Sequence, residues 1–456
     1  MQLNISEFPS DTNIVENLKP KPFRTLHYLG SKLRMLDFIK KVANKEDPDQ
    51  GAICDLFAGS GAVSQYLSNY RRIVAVDIQK YSEVICTALL KPCSDKKILL
   101  YGDYSRKSSI KAIFKEILKP ITEYESQAME RGEHGDIEPL CDFLEHCSLY
   151  SASEYSATQG MSDLKSALSK TITNIKNFGR PAFLATTYFG GIYFSYKQTM
   201  CIDVILYETK RAPIEFQNTL MAALLSTASD IVNTVGKQFA QPIRPRNKNG
   251  EPKSRLISQL KKDREICVFK TFENWLRKYL RENSYSAKHE ILCADYNEAI
   301  NSVAEDVSIV YADPPYTRDH YSRFYHGLET ICLNDFPKIS KINIGGTMRL
   351  SRGLYRKNRH QSPFCIKSKA PEAFKNLFKK VARKGKILML SYSPYNKSKN
   401  AHPRVMQIEN LFSLAGRYFK YVESYSPGVF SHSKLNNTEK HLEANDNGEL
   451  ILVCRN

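Results

Sequence analysis

A chain of 456 residues, 42% of them hydrophobic, is long enough for two or three domains, and its longest apolar helix candidate, residues 216–229, is too short and polar to span a bilayer. Eleven cysteines without a C-x-x-C pair argue against a disulfide framework, and Cys141, His146 and Cys147 match no usual zinc spacing, so a reduced cytoplasmic protein without a metal or membrane is expected. The formal net charge of +18 is local: residues 237–281 hold 13 Lys/Arg against 4 acidic residues, and residues 338–369 hold 9 against none, so each segment carries +9 and the remainder is neutral.

Residues 1–20 contain Glu7, Asp11 and Glu16 and no apolar core of signal-peptide length, which predicts a mobile polar arm over residues 1–22. A short segment follows at Tyr28, Leu29, Gly30, Ser31 and Lys32. Residues 52–57 read as a buried strand, with Asp55 and Phe57 near its end. The small-residue turn Ala58, Gly59, Ser60, Gly61 follows, then a helix from Ala62 with Val63, Tyr66 and Leu67 on one face. A second strand over 73–78 carries Asp77 and Ile78 at its end.

This series of strand, glycine turn, helix, strand and acid is the sequence form of a nucleotide-binding βαβ unit. The glycines let the backbone approach a ligand closely, and the acid can accept both hydroxyls of a ribose. The third glycine and a phosphate-cradling Lys-Ser/Thr are missing, so a nucleoside without phosphates, such as S-adenosylmethionine, fits better than a dinucleotide. Asp55 either accepts the amino group of such a ligand or caps its strand, and Asp77 either holds a ribose or caps a helix.

Residues 104–180 look mostly helical, and residues 214–235 form a second apolar helix candidate. Arg244, Arg246, Lys248, Lys253 and Arg255 stand among Pro242, Pro245, Gly250 and Pro252, the composition of an exposed loop. Such concentrated charge suits a polyphosphate backbone, a solvated linker being the other reading. Residues 291–294 give a short strand ending at Asp295 and Tyr296, and residues 308–312 give the strand that delivers Asp313, Pro314, Pro315 and Tyr316.

Those four residues hold the chemistry needed to make an aromatic amine attack a methyl donor. An exocyclic nitrogen of adenine or cytosine shares its lone pair with the ring, and two hydrogen-bond acceptors aimed at its N–H bonds draw that density back. Asp313 can supply one acceptor and the Pro314 carbonyl the other, because successive prolines fix the backbone and remove its competing donors. Tyr316 offers a flat face for an extruded base. Alternatively, the prolines merely turn the chain after a buried strand.

Tyr321 and Tyr325, four apart, either line a base pocket or belong to a core. The basic stretch 345–369, with Arg349, Arg352, Tyr355, Arg356, Lys357 and Arg359, either grips a nucleic-acid strand or is a disordered insertion. Residues 371–384 form an amphipathic helix with Phe374, Leu377, Phe378 and Val381 inward, stopped by Gly385 before a strand over 387–390. Tyr392 and Tyr395 are candidates for a second stacking surface, and strands over 418–423 and 449–454 complete the sheet.

In order along the chain, these motifs resemble the DNA adenine methylase family of the Dam type. Tyr28 to Lys32 is similar to its N-terminal cofactor segment, Asp55 through Val63 to its methionine-side glycine loop, and Asp77 to its ribose acid. The segment of Leu292, Cys293, Ala294 and Asp295 resembles the one whose acid faces the cofactor's adenine, and Asp313 to Tyr316 the catalytic signature. A weaker likeness runs from Tyr188 through Gly190 and Gly191 to Ser195, which in the family precedes target contacts.

The resemblance implies an α/β fold, a doubly wound, mostly parallel Rossmann-like methyltransferase sheet with an inserted, largely helical target-recognition domain. Residues 23–103 and 286–456 would form the catalytic domain, residues 104–285 the recognition domain with its basic loop at 237–264, and residues 338–370 a basic insertion. It implies transfer of the methyl of S-adenosylmethionine to N6 of an adenine flipped out of duplex DNA, in restriction-modification or solitary methylation, with a cognate restriction endonuclease as a candidate partner. Lys32 would orient Asp313 or the cofactor carboxylate, unless it is only a surface lysine at a helix start. Methylation of cytosine N4, methylation of RNA and a non-catalytic nucleic-acid-binding module are the competing readings.

Overall fold

Five apolar runs, each buried along most of its length, set the architecture. The computed structural model describes residues 5–7, 23–154, 162–280, 288–318, 320–393, 404–427 and 449–456. The ten strands are β1 (Ile5–Glu7), β2 (Ala52–Asp55), β3 (Ile73–Asp77), β4 (Glu290–Cys293), β5 (Val307–Ala312), β6 (Lys341–Ile344), β7 (Thr347–Leu350), β8 (Ile387–Tyr392), β9 (Tyr421–Ser426) and β10 (Leu450–Arg455). The chain divides into two compact units, one of Met1–Lys91, Asn283–Ser322 and His360–Asn456, the other of Pro92–Glu282 and Arg323–Arg359.

The first unit holds an eight-stranded sheet in the order β1-β9-β10-β8-β5-β2-β3-β4. Its central strands read as continuous apolar runs because both faces are covered. Alternate residues divide between two cores. Cys54, Val74, Val310, Leu388 and Leu452 face one of them with the helix Ala370–Arg383. Ile53, Ile73, Ile309, Met389 and Val453 face the other with the helix Leu36–Glu46. On the helix Ala370–Arg383, the predicted residues Phe374, Leu377, Phe378 and Val381 are all buried, each contributing about 1.5–3 kcal/mol. Gly385, at φ +65°, follows that helix and lets the chain turn into β8.

β8, β5, β2, β3 and β4 run parallel, so their carboxyl ends share one edge, where open α/β sheets bind ligands. β10 departs from that direction, being antiparallel to both β8 and β9. Its first residues therefore arrive at the edge where β8 ends, with Leu450 paired to Tyr392. β1 pairs in parallel with β9, so Ile5–Glu7 contributes an edge strand, whereas composition assigned it to a polar arm.

The second unit is mostly helical, with long helices at Ser109–Glu133, Ser162–Phe178, Tyr196–Arg211 and Ile214–Ile231. It gathers a sequence segment that was expected to belong elsewhere. β6 and β7 form a hairpin through Gly345 and Gly346, whose φ values of +57° and +84° suit a two-residue turn matched to strand twist. Residues 323–359 thus join the helical unit, and only residues 360–370 of the expected basic insertion fall in the sheet unit. Side chains explain this: Arg352 donates to the Ile243 carbonyl at 2.7 Å, Tyr355 donates to the Ala240 carbonyl, and Tyr188 donates to the Pro337 carbonyl at 2.9 Å.

Candidate active site

The glycine turn after β2 is held open by side chains around it. Gly59 has φ +54°, and a Cβ there would lie 2.5 Å from the Tyr28 hydroxyl. Gly61, at φ +73°, begins the helix Ala62–Leu67, and a Cβ there would meet Leu89 at 2.7 Å. Thr25 ties the turn down by donating to the Ser60 carbonyl at 2.8 Å. Only glycine satisfies both the left-handed backbone and these close approaches.

Asp77 ends β3 and accepts hydrogen bonds from the backbone N–H groups of Gly59 at 2.9 Å and Gln79 at 2.8 Å. Burial raises its pKa, opposed by those amide bonds, which favour the charged carboxylate. Asp77 lines a cavity at the carboxyl edge of the sheet with Tyr28, Phe57, Ile78, Asp295, Tyr296, Asp313, Pro315 and Tyr321. Leu56, Ala294 and Ser322 also line it, as do Gln79, Tyr81, His360, Ser362 and Pro363, five residues that carry no motif that sequence reasoning could have used.

Asp295 accepts from the Asn297 N–H at 2.9 Å, capping the helix Tyr296–Asn301, and Tyr296 packs its ring against Phe57 and Phe364. Asp55 is 2% exposed and accepts from the Ser64 hydroxyl at 2.6 Å. Burial pushes its pKa up to about 7 against that hydrogen bond. It is absent from the cavity wall, as are Gly30, Lys32, Ala58, Gly59, Ser60, Gly61, Pro314 and Tyr316. Gly30, at φ +69°, is exposed; a Cβ there would come 3.1 Å from the hydroxyl of Tyr321, which donates to the Leu29 carbonyl.

Asp313 leaves the end of β5 beside a buried cation. Lys32, 5% exposed, places Nζ 2.8 Å from Asp313 Oδ2 and 2.7 Å from Glu449 Oε1, so it is no surface lysine. Burial alone would lower the lysine pKa, but the two carboxylates outweigh it and raise it well above the ordinary value. Asp313 is pushed up to about 6, by burial first and by Glu449, while Lys32 pulls the other way.

Glu449 has no counterpart among the residues singled out from sequence. Its Oε1 accepts from Lys32, from the Ser391 hydroxyl at 3.1 Å and from the Tyr316 hydroxyl at 3.3 Å. Glu449 reaches this position because β10 runs antiparallel and begins where β8 ends. Tyr316 is further braced by the Tyr392 ring at 5.0 Å and the Arg404 guanidinium at 5.2 Å. Tyr392 is fully buried and donates to the Met406 carbonyl at 2.5 Å, so it supports Tyr316 instead of offering a stacking face. Tyr395 lies outside the described residues, and Tyr325, 1% exposed, is core.

The eight basic residues expected at a nucleic-acid surface separate into two groups. Arg244, Lys248, Lys253, Arg255 and Arg349 have exposed side chains. Arg246 instead meets Glu138, Asp142 and Glu145 at 2.7, 3.2 and 3.4 Å, and Arg356 is 9% exposed on Asp335. Arg352 is exposed but donates to the Ile243 carbonyl. Among the described residues no group of three or more His, Cys, Asp or Glu side chains is arranged to hold a metal, and no helix is long and apolar enough to cross a membrane.

The D12 class N6 adenine-specific DNA methyltransferase model matches residues 28–135 and 257–391, more than half of the chain. Modification methylase LlaI of Lactococcus lactis subsp. lactis is 23% identical over 86% of this chain and 49% of its own length. Type II methyltransferase M.FokI of Planomicrobium okeanokoites is 24% identical over 81% of this chain and 44% of its own, so the chain spans about half of each of these two relatives. Type II methyltransferase M.NlaIII of Neisseria lactamica is 24% identical over 86% of this chain and 89% of its own. The matched segments contain Tyr28, the glycine turn, Asp77, Asp295 and the Asp313 to Tyr316 signature, and the chain belongs to the D12 class N6 adenine-specific DNA methyltransferase family.

Proposed function

We propose that this protein transfers the methyl of S-adenosylmethionine to N6 of an adenine extruded from duplex DNA. The observation that carries this reading is a single cavity wall that includes Asp77 beside the glycine turn and Asp313 at the start of the catalytic signature. Asp77 would hold the ribose hydroxyls, Phe57 and Tyr296 would flank the nucleoside base, and the glycine turn would hold Asp77 in place through the Gly59 N–H. When bound, the cofactor supplies a methyl group activated by its sulfonium.

The chain's own residues would prepare the amine. Asp313 accepts one N6 hydrogen and the Pro314 carbonyl the other, which returns electron density to nitrogen. As the N6–carbon bond forms and the carbon–sulfur bond breaks, N6 becomes acidic, and its proton passes to Asp313 and then to solvent. A carboxylate with pKa about 6 is mostly ionised near neutrality and is a better proton acceptor than an ordinary aspartate. Lys32 keeps that carboxylate in place, and Tyr316 stacks on the base.

The named relatives are modification and type II methyltransferases, which supports a role in marking DNA against a matching endonuclease. Incubation with labelled cofactor and either unmethylated duplex DNA or ribosomal RNA tests the assignment. Label on adenine of the duplex is expected; label confined to RNA or to cytosine would overturn it.

A further inference from the structure

The helical unit treats its arginines unequally. Arg356 is given Asp335, Arg246 is given three carboxylates and Arg264 is given Glu125 at 2.7 Å. Arg323 and Arg359 receive none among the described residues. Among the described residues neither stands within ion-pair distance of an acid, although both address the same ring: the Arg323 guanidinium lies 5.1 Å and that of Arg359 5.8 Å from the centre of Tyr355.

That ring is fixed. Its hydroxyl donates to the Ala240 carbonyl and its backbone N–H donates to the Ser351 hydroxyl at 3.0 Å. Arg359 is fixed too, donating through Nη1 to the Ser340 hydroxyl and the Arg356 carbonyl, both at 3.0 Å, while its buried Nε–H has no acceptor. Arg323 is exposed. Burial and the neighbouring charge of Arg323 lower the Arg359 pKa, and burial with the charges of Arg359, Arg356 and Arg323 pushes His326 down to about 3. Two like charges are thus assembled around one aromatic platform with an unsatisfied donor, an arrangement that costs free energy until an anion arrives.

We propose that Arg323 and Arg359 form a two-armed site for one backbone phosphate of DNA, with Tyr355 as its platform. A tetrahedral phosphate can accept from two guanidinium groups at once, and the cation–π contacts with the ring, with the Arg359 bonds to Ser340 and Arg356, orient them beforehand so that less side-chain freedom is lost on binding. This inference rests on the reading of the protein as a DNA methyltransferase and names residues that would position the duplex.

The test is binding of a fluorescent unmethylated duplex by the full chain across a series of salt concentrations, for the unaltered protein, Arg323→Gln, Arg359→Gln and the double variant. Because the two arms share one phosphate, the double variant should lose about 0.9 from the slope of log K against log salt, the value for one phosphate, and not twice that. KM for DNA should rise while kcat stays within about twofold, since neither residue would touch the reacting atoms. Arg323 is exposed, so Arg323→Gln should keep the thermal midpoint and still show a shallower slope. Arg131→Gln, whose partner is Asp136 at 2.5 Å, should leave the slope unchanged. An unaltered slope in the double variant, with DNA binding and methylation intact, overturns the phosphate site alone. Failure of the unaltered protein to bind duplex or to methylate it overturns the functional reading, and the site with it.

Discussion

Lys32 and Glu449, near opposite ends of the chain, meet at 2.7 Å beside Asp313. The lysine sits between two carboxylates, and one oxygen of Glu449 also receives the hydroxyls of Tyr316 and Ser391. In the proposed mechanism the acid would be a positioning residue, balancing the ammonium and holding the tyrosine of the signature. Replacing Glu449 with Gln removes a charge that raises the Asp313 pKa, so the acid limb of the pH–rate profile should move below pH 6. A roughly tenfold fall in kcat, equivalent to about 1.4 kcal/mol, is expected from the loosened Tyr316 and Lys32. A pH profile identical to that of the unaltered protein would remove Glu449 from this role.

Asp313 itself should control the rate and its pH dependence. Asp313→Asn keeps the shape but loses an anionic acceptor, and methyl transfer should fall by about 10²–10⁴-fold while DNA affinity stays within about twofold. The folded-state pKa is raised, so the working carboxylate is present above about pH 6 and is lost as pH falls through that value. Single-turnover rates between pH 5 and 8 should trace this limb in the unaltered protein.

Gly59 should be intolerant of any side chain. Gly59→Ala forces a Cβ to 2.5 Å from the Tyr28 hydroxyl at φ +54°, a backbone that costs an L-residue about 1–2 kcal/mol. Calorimetric titration with S-adenosylmethionine should show weakened binding and thermal melting a lower midpoint. Unchanged cofactor affinity would place the ligand elsewhere.

Arg246 gives a contrast with its loop neighbours. Held by Glu138, Asp142 and Glu145, it should stabilise the helical unit by about 1 kcal/mol or less and contribute little to DNA binding. Arg246→Ala should leave the salt slope of duplex binding unchanged, whereas Arg244→Ala combined with Lys248→Ala should make it shallower. Equal effects would show that the ion pairs open when DNA binds.

The parts of the candidate site that depend on local sequence are legible in the sequence. A strand, a glycine turn and an acid at the next strand end announce themselves because each needs particular residues at fixed spacing; of the residues so picked out, Asp77 and Asp313 line one cavity, and the glycine turn does not. Glu449 was not legible, since its place follows from the reversed direction of β10, a property of strand pairing and not of composition. The alternation that separates Ile53 from Cys54 was hidden by a sheet buried on both faces. Membership of residues 323–359 in the helical unit was equally hidden, because contacts such as Arg352 with Ile243 join residues far apart in sequence.

The central claim is that Asp313 and the Pro314 carbonyl polarise an adenine amine. Its most direct test is single-turnover transfer from labelled S-adenosylmethionine to unmethylated duplex DNA, comparing the unaltered chain with Asp313→Asn and identifying the modified base. The account predicts N6-methyladenine from the unaltered chain and a loss of at least about a hundredfold in the variant; equal rates, or label on another base, would contradict it.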